Sequence, residues 1–136
     1  MTIVVDTSAQ RSFLAFDFGT KRVGVATGSR FTANAEPLRS IALEGDARFG
    51  AIEKLIKEWQ PDALVIGVPF HPDGAEHEIT LRARKFGRQL KGRFRLPVHE
   101  VDERYTSVEA ESYGAKDVDS TAAALILEQF LREHPL

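Results

Sequence analysis

Residues 13–26 have the sequence Phe13-Leu14-Ala15-Phe16-Asp17-Phe18-Gly19-Thr20-Lys21-Arg22-Val23-Gly24-Val25-Ala26. Two runs of apolar, β-prone residues flank a turn that contains glycine, which predicts a β-hairpin with strands near residues 13–18 and 22–28. Asp17 falls near the end of the first strand. An ionised carboxylate is costly in an apolar sheet, so Asp17 either caps its own turn or holds something cationic. This stretch alone leaves both alternatives open.

Length and composition set the class of protein. A chain of 136 residues has room for one domain, and we expect a loose extension over residues 1–12 followed by a single domain over 13–136. The absence of cysteine excludes disulfides, thiolate zinc sites and a cysteine nucleophile. No apolar run has the length of a membrane span, and residues 1–10 do not resemble a signal peptide. We therefore expect a cytoplasmic protein with no membrane partner.

The remaining elements follow from hydrophobic periodicity and from proline and glycine positions. A third strand is predicted over 35–43, and a helix begins at Asp46 and stops at Pro61. A strand buried on both faces covers 63–68. The later elements are a helix over 76–92, a strand over 97–102, a short helix with a capping box at 106–109, and a last helix opening at Asp119. This order predicts an α/β domain with a mixed five-stranded sheet, its first three strands antiparallel and the others parallel, and helices on both faces.

Carboxylates converge at one edge of that sheet. Ligands gather outside the carboxyl ends of parallel strands, and Asp17, the pair Asp102-Glu103 and Asp119 all fall there. Carboxylates brought together raise each other's pKa unless a cation lies among them, and all-oxygen sites suit Mg²⁺ or Mn²⁺. Two such ions roughly 3.5–4 Å apart can activate water and stabilise the leaving oxygen of a phosphodiester. The acids therefore predict a metal-dependent nuclease.

Each acid also has a purely structural interpretation. Asp119 precedes a helix and suits an N-cap. Asp102 and Glu103 can form a surface ion pair with Arg104. Because side chains alternate along a strand, only one of these two acids enters the site, and the sequence does not say which.

Basic residues are segregated from the acids. The formal net charge is −2, which argues mildly against a nucleic-acid-binding protein, yet residues 82–95 contain several arginines and lysines and no acid. This run is either a solvated helix face or a surface that contacts phosphates. The candidates for contact with a nucleic-acid backbone are Lys21, Arg22, Arg84, Arg88, Lys91 and Arg104.

Four blocks of sequence resemble the signature blocks of the YqgF/RuvX family, the branch of the RNase H fold that is similar to Holliday junction resolvases. The blocks are residues 17–26, Gly67-Val68-Pro69, residues 102–107 and residues 119–123. They occur in the family's order and cover nearly the whole chain after residue 12.

The resemblance implies an RNase H-like hydrolase of phosphodiester bonds that trims the 5′ end of precursor 16S ribosomal RNA during ribosome biogenesis. Asp17, Glu103 and Asp119 are the implied catalytic and metal-binding acids, with Asp102 as a further candidate ligand and two Mg²⁺ or Mn²⁺ ions as cofactors. The implied partners are precursor RNA, alone or in a pre-ribosomal particle, or branched DNA. We expect a monomer or a weak homodimer.

The chain departs from the family pattern at three places. Residues 27–30 contain no acid, and residues 112–118 contain only Lys116 as a basic residue. Related resolvases have an acid at the end of the fourth strand, where this chain has Gly67-Val68-Pro69. The strand that carries Asp102 and Glu103 then has to supply the middle acid.

Three other functions compete with the rRNA nuclease. The Asp-Phe-Gly-Thr stretch at residues 17–20 also resembles the phosphate loop of actin-like and sugar-kinase ATPases, but those proteins clamp nucleotide between two lobes and this chain has the length of one. A non-catalytic RNA-binding ribosome-assembly factor could keep the fold and the basic face. A Holliday junction resolvase would act on branched DNA.

Overall fold

The computed structural model describes residues 10–103 and 118–135. In chain order the elements are β1 (Ser12–Phe18), β2 (Val23–Ser29), β3 (Asn34–Ile41), α1 (Gly45–Trp59), β4 (Ala63–Val68), α2 (Glu78–Phe94), β5 (Val98–Asp102) and α3 (Val118–Glu133). The predicted short helix at 106–109 and Arg104 lie outside the described residues.

The five strands form one mixed sheet in the order β3-β2-β1-β4-β5. β2 pairs antiparallel with both β1 and β3, whereas β4 lies parallel to β1 and to β5. The predicted sheet is therefore confirmed. β3 ends at Ile41, two residues before the predicted end. It contains Pro37, which has no N–H to donate, and it lies at the edge of the sheet, where proline is tolerated.

Helices cover both faces of the sheet, as predicted. Alternate residues of β1 show the division, because Leu14 and Phe16 pack under α1 and α2 while Phe13 and Ala15 pack under α3. All six residues of β4 are buried, as a strand covered on both faces requires. Asp17 belongs to the second set by alternation, and this places its side chain on the face covered by α3.

Helix α2 begins at Glu78 because His77 forms its N-cap. His77 Nδ1 accepts a hydrogen bond from Ile79 N at 3.2 Å, and Thr80 Oγ1 accepts one from His77 N at 3.1 Å. This reciprocal capping box satisfies two backbone donors of the first turn, and it explains why the helix starts two residues later than its apolar stripe predicts.

Residues 10–12, part of the predicted extension, make tertiary contacts. Gln10 is buried, and its Oε1 lies 2.7 Å from His99 Nε2. The backbone N–H groups of Arg11 and Ser12 donate to Asp62 Oδ2 at 2.7 and 3.0 Å, and these bonds hold the pKa of Asp62 below its usual value. No helix among the described residues is long and apolar enough to cross a membrane.

Candidate active site

Asp17 lies opposite glycine on both neighbouring strands. It pairs with Gly24 of β2 and with Gly67 of β4. Because neither neighbour has a side chain, the surface beside the Asp17 carboxylate is open to groups from β5 and α3. The carboxyl ends of β1, β4 and β5 meet at this edge, which is where ligands bind in sheets of this kind.

Glu103 directly follows β5, and its side chain reaches Asp17. A Cβ added at Gly67 would lie 2.6 Å from Glu103 Oε2 and 2.4 Å from Ile126 Cδ1, so the Glu103 carboxyl occupies the space of a side chain at position 67. The two carboxyl groups are hydrogen-bonded to each other. The Glu103 carboxyl therefore lies where a side chain at the end of β4 would otherwise lie.

Burial and nearby negative charges raise the pKa values of both acids. For Asp17, burial is the main cause and the charge of Asp119 adds to it, bringing the pKa to about 6. For Glu103, burial is again the main cause and the Asp17 charge is the next, bringing the pKa to about 9. The hydrogen bond between them opposes the rise at Asp17 and adds to it at Glu103, so at neutral pH the two carboxyl groups share one proton.

Asp119 lies in the first turn of α3 and is held by two donors. Arg22 Nε lies 3.1 Å from Asp119 Oδ2, and Ser40 Oγ donates to the same oxygen at 3.2 Å. Helix α3 approaches β2 very closely here, since a Cβ at Gly24 would lie 1.9 Å from the Asp119 backbone oxygen. Asp119 is therefore near Asp17 but has an ion pair of its own.

Asp102 belongs to the other face of the sheet. It pairs with Val68 in the parallel register, and Val68 packs in the core under α1 and α2. Residues in register share a face, so Asp102 and Glu103 point to opposite sides. Within residues 10–103 and 118–135, no three side chains of the metal-ligating types lie close enough together to hold a metal ion.

Two residues that support this site were not predicted from the sequence, Arg48 and Ser40. Arg48 of α1 is buried and donates to Leu43 O at 2.8 Å and to Thr20 O at 3.0 Å, which braces the hairpin turn beside Asp17. Neither residue belongs to a recognisable motif, so only the fold brings them to the site. Gly67 belongs to one of the four sequence blocks, but its closeness to Glu103 follows only from the parallel register of β4 and β5.

The predicted phosphate contacts fall into two groups. Lys21 and Arg22 lie at the hairpin turn and are exposed. Arg84, Arg88 and Lys91 lie on α2 and line one groove against β5. Arg84 is already neutralised, because it forms ion pairs with Glu76 and with Glu100; Arg88 and Lys91 form no ion pair with any residue in the described part of the chain.

The strand order and the acids at its carboxyl edge define the class as an RNase H-like α/β protein. A Thermus thermophilus RuvC structure in complex with a Holliday junction substrate superposes with a TM-score of 0.52 over 90% of this chain and 95% of that chain, at 15% sequence identity. A second Thermus thermophilus RuvC structure gives a TM-score of 0.51 over 90% and 95% of the two chains, at 13% identity. These likenesses establish the fold.

The chain belongs to the RuvX family, whose model, described as Holliday junction resolvase, matches residues 11–133. A relative from Albidiferax ferrireducens is 66% identical over 122 residues, covering 90% of this chain and 78% of that protein. A relative from Polaromonas sp. is 60% identical over 129 residues, covering 95% and 94%. Both carry the name "Putative pre-16S rRNA nuclease". The resemblance found in the four sequence blocks is thereby confirmed.

Proposed function

We propose that this protein is a nuclease that hydrolyses phosphodiester bonds at the 5′ end of precursor 16S ribosomal RNA in the cytoplasm, with Mg²⁺ or Mn²⁺ as cofactor. The observation that carries the proposal is the contact between the half-buried Asp17 and Glu103 carboxyl groups at the carboxyl edge of the sheet. Family membership supports the reaction class, and the names of the relatives support the substrate.

The donor set fits a hard divalent cation. Two carboxyl groups in contact hold one proton between them because their negative charges cannot both be accommodated in a buried place, and a divalent cation would replace that proton with a stronger counter-charge. All donors here are oxygens, as Mg²⁺ and Mn²⁺ prefer. Asp17 and Glu103 would hold the cation, and Asp119, which pairs with Arg22, would have to rotate its side chain toward them to serve as the third acid.

The chemistry divides between the cofactor and the chain. When bound, the ions supply a nucleophilic water and stabilise the charge on the leaving oxygen. The chain's own residues orient the substrate: Lys21 and Arg22 lie on the turn directly after the strand that carries Asp17, where they can contact the phosphate that is cut. Arg48 fixes the backbone of that turn through Thr20 O, which holds the Lys21 and Arg22 backbone beside the site.

The groove on α2 offers a second contact with the nucleic acid. Arg88 and Lys91 project from one helix face at a spacing of three residues, so their charges lie side by side. Phosphate contacts of this kind supply affinity without sequence preference. The groove would bind the RNA backbone at a position distant from the bond that is cut.

Cleavage of an end-labelled precursor 16S RNA fragment, in Mn²⁺, Mg²⁺ or EDTA, tests the proposal. We expect metal-dependent cutting that Asp17→Asn lowers by more than about 100-fold, since even outer-shell partners of a metal site contribute roughly 10–100-fold. RNA binding by this variant should persist. Asp102→Asn is the matched control, because its side chain belongs to the opposite face, and it should retain cleavage.

Two results would contradict the proposal. Equal cutting by the parent and Asp17→Asn would show that the site is elsewhere. Binding without cutting in every metal would favour a non-catalytic assembly factor. A four-way DNA junction in parallel reactions separates RNA processing from cleavage of a Holliday junction, the substrate bound in the RuvC complex that shares this fold.

A further inference from the structure

Asp119 has a counter-ion within the protein. The guanidinium of Arg22 lies 3.1 Å from Asp119 Oδ2, and the side chains are 65% and 29% exposed. Ser40 Oγ donates to the same oxygen at 3.2 Å. The Asp119 carboxylate therefore has its charge neutralised by a neighbouring strand and turn, whereas the Asp17 and Glu103 carboxyl groups meet each other.

The backbone around this ion pair has little freedom. Helix α3 begins directly against β2, with Asp119 O over Gly24, so Asp119 can change its partner only by rotating its side chain. The turn that carries Arg22 is tight, because a Cβ at Gly19 would lie 2.5 Å from Arg22 O. The exposed Arg22 side chain is the mobile member of the pair.

We propose that Arg22 is an exchangeable counter-ion of Asp119: it pairs with this carboxylate in the metal-free protein, and a divalent cation bound at Asp17 and Glu103 displaces it. The inference rests on the proposed function, since it concerns the cation of that site. Arg22 then lowers the cation affinity of the free protein, and its released guanidinium remains one short turn from Asp17, beside the place where an anionic phosphate would be cut.

Binding of Mn²⁺ to the nucleic-acid-free protein tests this competition. Arg22→Gln should lower the Mn²⁺ dissociation constant by about two- to fivefold, the size expected for loss of one largely exposed ion pair. Lys21→Gln is the matched control, because it removes a neighbouring positive charge that has no ion pair with any described residue. An equal effect of Lys21→Gln would mean that general charge alone acts, and would overturn the exchange.

A double-mutant comparison isolates the partner. In an Asp119→Asn background, Arg22→Gln should no longer change the Mn²⁺ dissociation constant, because the group that Arg22 neutralises has gone. A persistent two- to fivefold effect in that background would overturn the proposal.

The Nε–Hε signal of Arg22 gives a second readout that does not involve activity. In ¹⁵N spectra, addition of diamagnetic Mg²⁺ should move this signal to the position it has in Asp119→Asn protein. A signal that stays at the ion-paired position while Mg²⁺ binds would show that Arg22 keeps its partner, and the exchange would be wrong.

The cleavage assay separates this inference from the proposed function. A parent protein that binds Mn²⁺ and cuts RNA, with an Arg22 signal that does not respond, contradicts only the exchange. A parent protein that neither binds Mn²⁺ nor cuts contradicts the proposed function and the exchange together.

Discussion

Asp17 and Glu103 lower the stability of the fold that holds them. Both carboxyl groups have pKa values raised by burial and by their neighbours. The unfolded chain releases these protons near the ordinary carboxyl pKa values, whereas the folded protein keeps them to higher pH. The unfolded state therefore binds fewer protons across that interval, and linkage requires stability to fall as pH rises from about 4 to about 9.

Glu103→Gln should remove most of this loss, because an amide has no charge to bury. In EDTA at pH 8 we expect the variant to be more stable than the parent by about 1–2 kcal/mol, or roughly 4–8 °C in Tm. At pH 4, Glu103 is largely protonated in both the folded and the unfolded parent, so the difference in stability should vanish.

Thermal melts across this pH range provide the measurement, with Glu58→Gln, an exposed glutamate on α1, as the matched control that should leave stability unchanged. A Glu103→Gln variant that is less stable than the parent at pH 8, or a difference that does not depend on pH, would contradict the assigned burial of the pair.

At the scale of elements, the site depends on how closely α3 approaches β2. Gly24 permits that approach, since any side chain would meet the Asp119 backbone oxygen. Gly24→Ala should push the start of α3 outward and destabilise the protein by about 2–3 kcal/mol. Because Asp119 would move with the helix, cleavage should fall as well.

Gly50→Ala is the control for this prediction. Gly50 lies within α1, and a Cβ there meets nothing within 4 Å, so alanine should stabilise the protein by about 0.5–1 kcal/mol through helix propensity. Urea denaturation of both variants measures the contrast. Equal effects of the two substitutions would show that α3 can adjust to a larger residue at position 24.

The sequence predicts elements better than it predicts partners. The apolar run at residues 63–68 gives β4 its observed bounds, because a doubly buried strand leaves an unbroken hydrophobic pattern. The partners of Asp119 could not be predicted in this way, since Ser40 comes from β3 and reaches α3 only through the sheet order. The choice between Asp102 and Glu103 likewise needed the register of β5 on β4.

For the whole molecule, the distribution of charge matters more than its sum. Several basic side chains of α2 are neutralised by acids that lie outside residues 82–95. Arg82 pairs with Glu78, Arg93 with Asp46, and Arg84 with two glutamates. Arg88 and Lys91 form no ion pair with any described residue, so their charges remain available. The surface available to phosphates is therefore narrower than the sequence predicts.

Arg88→Gln combined with Lys91→Gln should weaken RNA binding and reduce its dependence on salt. Each lost phosphate contact lowers the slope of log K against log salt by about 0.7 for a single strand, so a reduction of about 1.4 is expected. Binding isotherms between 50 and 200 mM salt, about the range where such contacts dominate, measure it.

Arg39→Gln on β3 combined with Lys54→Gln on α1 is the matched control, because it removes one arginine and one lysine that are exposed and form no ion pair with any described residue. A slope change equal to that of the α2 variant would show that only net charge matters, and the groove would then have no particular role.

The exchange of space between Gly67 and Glu103 limits how this family of sites can diverge. A side chain at position 67 and the Glu103 carboxyl would occupy one volume, so this chain can take a carboxylate from the fourth strand or from the end of the fifth, but not from both at full size. Substitutions at the two positions are therefore interdependent: a larger residue at 67 becomes acceptable only when residue 103 becomes smaller.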